Sequence, residues 1–158
     1  MKTIGRDMKI NIDDIENSKD KRLEITFDDC IDGVPTKGNI KADLVFQDLD
    51  VSIHVTGKIE AGMIVQCRRC LEEFVYESSV DVDECYYKTN LFPEYKQERE
   101  LKYEAIGEDL NGSGEIDVED LIYQSLILSV PNDCVCDINC NGGMTNLKDY
   151  ISPKEDIR

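Results

Sequence analysis

Two short cysteine motifs contain the side chains of this chain that are best suited to chemistry. Cys67 and Cys70 enclose two arginines in a C-x-x-C motif, and Cys136 and Cys140 form a C-x-x-x-C motif. A short loop lets both thiolates of a pair converge on one ion, and four thiolates are typical of a tetrahedral structural zinc site. The sequence therefore predicts a zinc site built from these four cysteines, which only the fold can bring together.

The charge of such a site gives a role to the arginines of the first motif. Four thiolates around one Zn²⁺ leave a net charge of about −2, which the adjacent Arg68 and Arg69 would offset. The same two arginines are our candidate contact for a partner, including a small local contact with RNA.

The cysteines also allow other interpretations. Cys134 stands two residues before Cys136 and is an alternative ligand. The four cysteines could be ordinary reduced thiols, buried as small apolar side chains. A redox C-x-x-C is a third interpretation, but the βαβ pattern that usually carries one is missing. Cys30 and Cys85 have no partner at ligand spacing, so we expect them to lie outside the site.

A second metal motif lies at residues 109–120, which match a calcium loop of the EF-hand or dockerin type. Its oxygen ligands would be Asp109, Asn111, Ser113, the backbone of Glu115, Asp117 and Asp120. The chain has no second copy of this loop, and its last ligand is an aspartate rather than a bidentate glutamate. The competing interpretation is a polar glycine turn that leads into a helix capped by Asp117. We therefore favour zinc over calcium.

The sequence contains few residues in patterns that are typical of an enzyme active site. The single histidine, His54, falls in the middle of an alternating strand pattern, where a residue on the face of the strand is the commoner outcome. The sequence contains no G-x-S-x-G elbow, no phosphate-binding P-loop and no G-x-G-x-x-G motif. We expect a protein that is not an enzyme.

Composition limits the class of protein. The chain has 158 residues with 18 basic and 34 acidic side chains, a formal charge of −16 and a pI near 4.3. Residues 80–158 hold most of the excess, with 7 basic against 18 acidic side chains. This charge disfavours broad binding to nucleic acid through phosphates. No apolar run is long enough to span a membrane, and seven cysteines are an odd number, so we expect a cytoplasmic protein with reduced thiols and no membrane association.

Alternation of apolar and polar residues predicts a mainly β protein. Residues 40–46 and 51–55 alternate and are separated by a turn, residues 58–61 and 63–66 form two further strands around a turn at Gly62, and residues 74–87 alternate again. Two N-terminal stretches, 8–12 and 23–27, are candidate edge strands. We expect four or five strands in a meander, as a curved antiparallel sheet or partial barrel.

One helix is predicted near the C-terminus, and it completes an α+β fold. It starts at the N-cap Asp117 and stops before Pro131, and its apolar face should lie across the open face of the sheet. A Cys-rich segment follows it. We interpret residues 88–115 as a mobile acidic connection within a single domain, residues 1–158, since that stretch has little apolar periodicity.

The order of these motifs resembles the YceD family, the large ribosomal RNA subunit accumulation proteins of bacteria and plastids. The resemblance rests on Val55-Thr56-Gly57-Lys58-Ile59, on Cys67-Arg68-Arg69-Cys70-Leu71-Glu72, on the helix that ends in Leu128-Ser129-Val130-Pro131, and on residues 136–142. It covers most of the chain from about residue 8 onward. Many relatives continue with G-L-C-x-x-C-G, whereas here Gly143 and Met144 stand where the next cysteine would come.

The resemblance implies a role in 23S ribosomal RNA accumulation, and therefore in ribosome biogenesis. The partners it implies are ribosomal proteins or ribosome-assembly intermediates. An acidic protein fits this role if it binds basic ribosomal proteins rather than binding RNA over a large surface.

Overall fold

An antiparallel meander of four strands frames the structure, a computed structural model that describes residues 2–3, 8–88, 108–109 and 114–142. The strands are β1 (Lys2–Thr3), β2 (Lys9–Asn11), β3 (Arg22–Asp29), β4 (Ile40–Asp48), β5 (Ser52–Gln66), β6 (Glu73–Tyr87), β7 (Glu108–Asp109) and β8 (Glu115–Asp117), and the helices are α1 (Ile12–Glu16) and α2 (Val118–Ser129). A single 3₁₀ turn, Lys19–Lys21, precedes β3. The main sheet has the order β1-β3-β4-β5-β6-β7. The mainly β fold with a C-terminal helix is confirmed.

Alternation in β4 produces the buried face of the sheet. Ile40, Ala42, Leu44 and Phe46 are each at most 2% exposed, while the residues between them point away from the core. β4 pairs with β3 on one side and with β5 on the other, so these four side chains lie at the centre of the meander. The alternation predicted in the sequence is thus the pattern that defines the core.

The predicted turn at Gly62 and the predicted break between residues 55 and 58 are wrong, because β5 continues from Ser52 to Gln66 without interruption. Gly57 lies opposite Leu44 of β4, and a Cβ atom placed on it would be 2.1 Å from the backbone oxygen of Asp43. The glycine therefore permits a close approach of two backbones rather than a change of direction. As a consequence, β5 and β6 extend together as a ribbon beyond the end of β4.

Helix α2 covers the buried face of the sheet, as predicted. The Asp117 carboxylate caps its first turn by accepting a hydrogen bond from the amide of Asp120 at 3.1 Å. The helix ends at Ser129, two residues before Pro131. Its buried side chains, Val118, Leu121, Ile122 and Leu126, follow the helical period and join the core.

The candidate edge strand at residues 8–12 joins the start of α2 as β2 instead of extending the meander. β2 pairs antiparallel with β8 in a separate two-stranded sheet, and the amide of Val118 donates to the carbonyl of Met8 at 2.8 Å. The other candidate, at residues 23–27, is confirmed as a strand within β3, but it is not at the edge of the sheet, because β1 pairs parallel with it at Ile25 and Thr26. The short helix α1 follows β2 and buries Ile15 against the meander.

Most of the predicted acidic connection, residues 89–107 and 110–113, lies outside the residues that the structure describes. Neither of the two described helices has the length and hydropathy that crossing a lipid bilayer requires.

Candidate metal centre

The turn between β5 and β6 carries the first cysteine pair. The amide of Cys67 donates to the carbonyl of Glu72 at 2.8 Å, and the amide of Leu71 donates to the carbonyl of Cys67 at 2.9 Å. Leu71 adopts a positive φ of 62°, and its carbonyl accepts a hydrogen bond from the Gln66 amide group at 2.9 Å. These bonds hold Cys67 and Cys70 at the tip of the β5–β6 ribbon.

The segment after α2 brings the second pair to the same tip. The amide of Arg68 donates to the carbonyl of Cys134 at 2.9 Å, which joins this segment to the turn. Within it, the amide of Cys140 donates to the carbonyl of Asp137 at 3.0 Å, and the carboxylate of Asp137 accepts from the amide of Asn139 at 2.7 Å. This tight turn directs Cys136 and Cys140 toward the first pair.

The four sulfur atoms form one compact group. All of them lie within 4.8 Å of one another, with 3.8 Å between the sulfurs of Cys67 and Cys140 and 3.7 Å between those of Cys70 and Cys136. In a tetrahedron with zinc–sulfur bonds of about 2.3 Å, ligand sulfurs are about 3.8 Å apart. The arrangement can therefore hold a metal ion with four thiolate ligands.

Backbone amides surround the innermost sulfur. The amides of Arg69 and Cys136 each lie 3.4 Å from the sulfur of Cys67, a side chain with no exposed surface. The amide of Cys70 has the largest effect on this thiol, and together the amides lower the pKa of Cys67 to about 6. Fixed N–H donors stabilise a thiolate here, as they do around zinc-bound sulfurs.

The thiols of Cys70 and Cys136 oppose further ionisation in the absence of a cation, since the pKa of each is raised. Neighbouring thiols, of which that of Cys140 has the largest effect, raise the pKa of Cys136 to about 12. Four negative charges within 4.8 Å of one another would repel strongly, whereas a divalent cation would stabilise all four thiolates. The donor set and its charge requirement thus both fit a metal ion.

Arg69 links the two halves of the centre. Its guanidinium donates to the carbonyls of Ile138 and Cys140, both at 3.0 Å. Gly142 has a positive φ of 70°, and a Cβ atom there would lie 2.8 Å from the backbone oxygen of Arg69. From the sequence, Arg69 is expected only to balance charge and to contact a partner. Its bridging position is not predicted, since no local pattern indicates which carbonyls it reaches. Arg68 is exposed, and its side chain remains a predicted partner contact.

The other cysteines lie apart from the group of four. Cys136, not Cys134, contributes the fourth sulfur of the group. Cys134 contacts the β5–β6 turn through its carbonyl oxygen, which accepts a hydrogen bond from the amide of Arg68. The thiol of Cys30 lies near the carbonyl of Gly38, on the loop before β4. Burial raises the pKa of Cys85, which lies in β6.

The candidate calcium ligands are only partly within the described residues. Asn111 and Ser113 fall outside them, whereas Glu115 and Asp117 lie in β8, paired with β2. The carboxylate of Asp117 accepts the amide of Asp120, which is the N-cap arrangement of the competing interpretation. The preference for zinc over calcium stays a prediction.

The histidine lies on the strand face as expected. Nε2 of His54 in β5 is 2.6 Å from a carboxylate oxygen of Asp83, a diagonal neighbour on β6 that lies opposite Thr56. This pair belongs to the exposed face of the sheet, away from the cysteine tip.

Comparison with known proteins places these features in a family. No curated protein and no solved structure matches the chain. A family model, described as large ribosomal RNA subunit accumulation protein YceD, matches residues 55–157. The match begins within β5, includes both cysteine motifs and α2, and extends over well over half of the chain. The chain therefore belongs to the YceD family of large ribosomal RNA subunit accumulation proteins.

Proposed function

We propose that this protein is a non-catalytic factor that promotes the accumulation of 23S ribosomal RNA during assembly of the large ribosomal subunit. The family match over residues 55–157 carries this proposal. The protein acts in the cytoplasm, where ribosomes are assembled, and its contribution is binding rather than chemistry.

The cysteine centre holds zinc and has a structural role. Four protein ligands leave no open position for water or substrate, which is the arrangement of structural rather than catalytic zinc sites. The separations of 3.8 Å between the sulfurs of Cys67 and Cys140 and 3.7 Å between those of Cys70 and Cys136 support this assignment, since ligand sulfurs of a zinc tetrathiolate are about 3.8 Å apart. The metal joins the β5–β6 turn to the segment after α2, so it contributes to folding.

The net charge of −16 supports basic ribosomal proteins, alone or in assembly intermediates, as the partners. Direct contact with RNA is limited to a small patch such as Arg68 and Arg69. Gel-shift titration with 23S fragments at low salt separates the two modes, because binding through phosphates must weaken steeply as salt is added.

A complementation experiment tests the function. In cells without the gene we expect the ratio of 23S to 16S ribosomal RNA to fall, and expression of the wild-type chain to restore it. The Cys70→Ser variant should restore it poorly, whereas Cys30→Ser, a thiol outside the cysteine group, should restore it fully. An unchanged ratio in the deletion strain would contradict the proposal.

A further inference from the structure

The outer edge of β6 presents backbone groups for pairing. On β5, the amide of Ile64 donates to the carbonyl of Pro35 and the carbonyl of Gly62 accepts from the amide of Lys37, so both residues direct their backbone away from β6. Backbone direction alternates along a strand, and β5 pairs antiparallel with β6. The odd-numbered residues of β6 therefore direct their amides and carbonyls outward.

In the described part of the chain, this edge has no neighbouring strand between Val75 and Asp83. β7 pairs with β6 only at Tyr86 and Tyr87. An open edge of this length is a template for a further strand. Residues 75–83 could pair with an extended peptide of about nine residues.

A groove runs beside this edge, between β6 and α2. It has a volume of about 300 Å³. Its apolar and aromatic lining consists of Val80, Val82, Tyr86, Leu121 and Leu128. Leu128 is 83% exposed, which is unusual for a leucine beside an apolar groove and leaves it available to cover a second side chain.

The negative charge of the β6 edge and the groove favours a partner segment with positive charge. β6 carries five carboxylates and no basic residue: Glu73, Glu77, Asp81, Asp83 and Glu84. Asp81 and Glu84 lie on the rim of the groove, and none of the residues that line it is basic. A lysine or arginine of an added strand could place its methylene stem on Leu128 and its charged head near these two carboxylates.

We propose that residues 75–83 of β6 and the groove beside α2 bind an extended basic segment of a partner protein by strand addition. The open backbone supplies affinity, the apolar groove accommodates alternate side chains, and the carboxylates select basic ones. The inference rests on the proposed function for the class of partner, a basic ribosomal protein, and gives that partner a docking surface.

The first test uses a synthetic peptide of alternating lysine and valine, about nine residues long to match the edge. Fluorescence anisotropy should show saturable binding, and amide NMR should show shifts at Ser79 and Asp81 with slowed hydrogen exchange at these outward amides. A peptide methylated at alternate backbone nitrogens should not bind, because it cannot pair with a strand. Equal binding of the methylated peptide, or of a glutamate–valine peptide, would overturn the proposal.

Variants of the protein test the same surface. Asp81→Lys combined with Glu84→Lys should weaken peptide binding about tenfold or more, since both rim charges are reversed. Asp14→Lys reverses an exposed charge on α1, away from the groove, and should change binding less than about twofold. Ser79→Pro removes one outward amide without removing a bond to β5 and should also abolish binding. If the doubly reversed variant and Ser79→Pro both bind the peptide as wild type does, residues 75–83 and the groove are not the docking surface.

Two further outcomes separate this inference from the proposed function. If NMR of the full chain shows residues 89–107 paired with the β6 edge, the chain occupies its own edge and the inference fails, whatever the effect on ribosomal RNA. If the doubly reversed variant no longer binds the peptide yet fully restores 23S levels, the docking surface is not used for the function. If the peptide binds but the deletion strain has normal 23S levels, the proposed function fails while the docking surface stands.

Discussion

The sulfur of Cys67 lies 3.8 Å from that of Cys140, although 73 positions separate the two residues in the chain. The contact joins the tip of the β5–β6 ribbon to the segment that follows α2. A metal ion shared by these sulfurs closes a long loop that the unfolded chain leaves open, so its binding free energy adds to the free energy of unfolding.

Loss of the metal should destabilise the protein. We expect Cys67→Ser, or removal of zinc by a chelator, to lower the free energy of unfolding by at least about 3 kcal/mol, as for a cross-link that closes a long loop. Elemental analysis of the purified, untagged protein should find about one zinc per chain, as a single tetrathiolate requires. Thermal unfolding with and without chelator measures the effect. Cys30→Ser is the matched control. Wild-type protein that contains no metal as purified, and whose melting temperature is unchanged by Cys67→Ser, would contradict the prediction.

Arg69 should stabilise the closed centre through its two carbonyl contacts. Arg69→Ala removes the charged donor to Ile138 and Cys140, so we expect a loss of about 2 kcal/mol and faster release of zinc to a chelating dye. Arg68→Ala keeps the backbone bond of that residue and should change stability by less than about 0.5 kcal/mol. Equal effects of the two substitutions would show that charge, not the bridging contact, matters.

The ion pair between the buried Asp48 and Lys88 predicts how the stability of the fold depends on pH. Burial alone would raise the pKa of Asp48, but the hydrogen bond from Lys88 at 2.8 Å and the amide of Asp50 lower it below its usual value. In the unfolded chain this carboxyl has a pKa near 3.8, and at pH values above it the ionised Asp48 contributes its full stabilisation to the fold. The stabilisation is lost as the pH falls through the pKa of Asp48 in the folded protein, which is lower. Lys88, whose pKa is raised, loses its contribution only in strong alkali.

Replacing this carboxylate provides the measurement. We expect Asp48→Asn to lower stability at neutral pH by about 2 kcal/mol, because it leaves Lys88 with a weaker acceptor. Urea unfolding followed from neutral pH to below pH 3.8 should show the difference from wild type shrinking as Asp48 becomes protonated. Asp50→Asn affects an 83%-exposed side chain paired with Lys21 and should change stability by less than about 1 kcal/mol. A difference that grows in acid would reverse the assigned sign.

The N-cap of α2 distinguishes the two interpretations of residues 109–120. Asp117→Ala should destabilise the protein by about 1 kcal/mol without calcium, because it removes the acceptor for the amide of Asp120. Calcium should leave the melting temperature of the wild-type protein unchanged. A saturable calcium-dependent rise that Asp117→Ala abolishes would instead support the calcium loop.

Local patterns were sufficient for several elements. The alternation from Ile40 to Phe46 predicts the buried face of β4, since side chains in a strand alternate between two environments. Asp117 and Pro131 predict the limits of α2 because capping and the restriction before proline act within a few residues. Each of these signals lies inside the element that it specifies or within two residues of its ends.

Glycine gave a misleading signal in β5. Gly57 and Gly62 favour turns when only their neighbours in the sequence are considered. The deciding contact is the backbone of Asp43, which approaches Gly57 too closely for any side chain. That neighbour belongs to another strand, so no window of sequence around Gly57 could reveal it.

The sequence by itself determined the ligand chemistry, namely two cysteine pairs at chelating spacing in an acidic chain, and the start and end of the helix that precedes the second pair. Only the tertiary structure decided that the pairs meet, that Cys136 rather than Cys134 contributes, and that Arg69 bridges them. The physical reason is distance along the chain. Cys70 and Cys136 are 66 positions apart, and their meeting depends on the register of β5 with β6 and on the path after α2, which long-range packing sets.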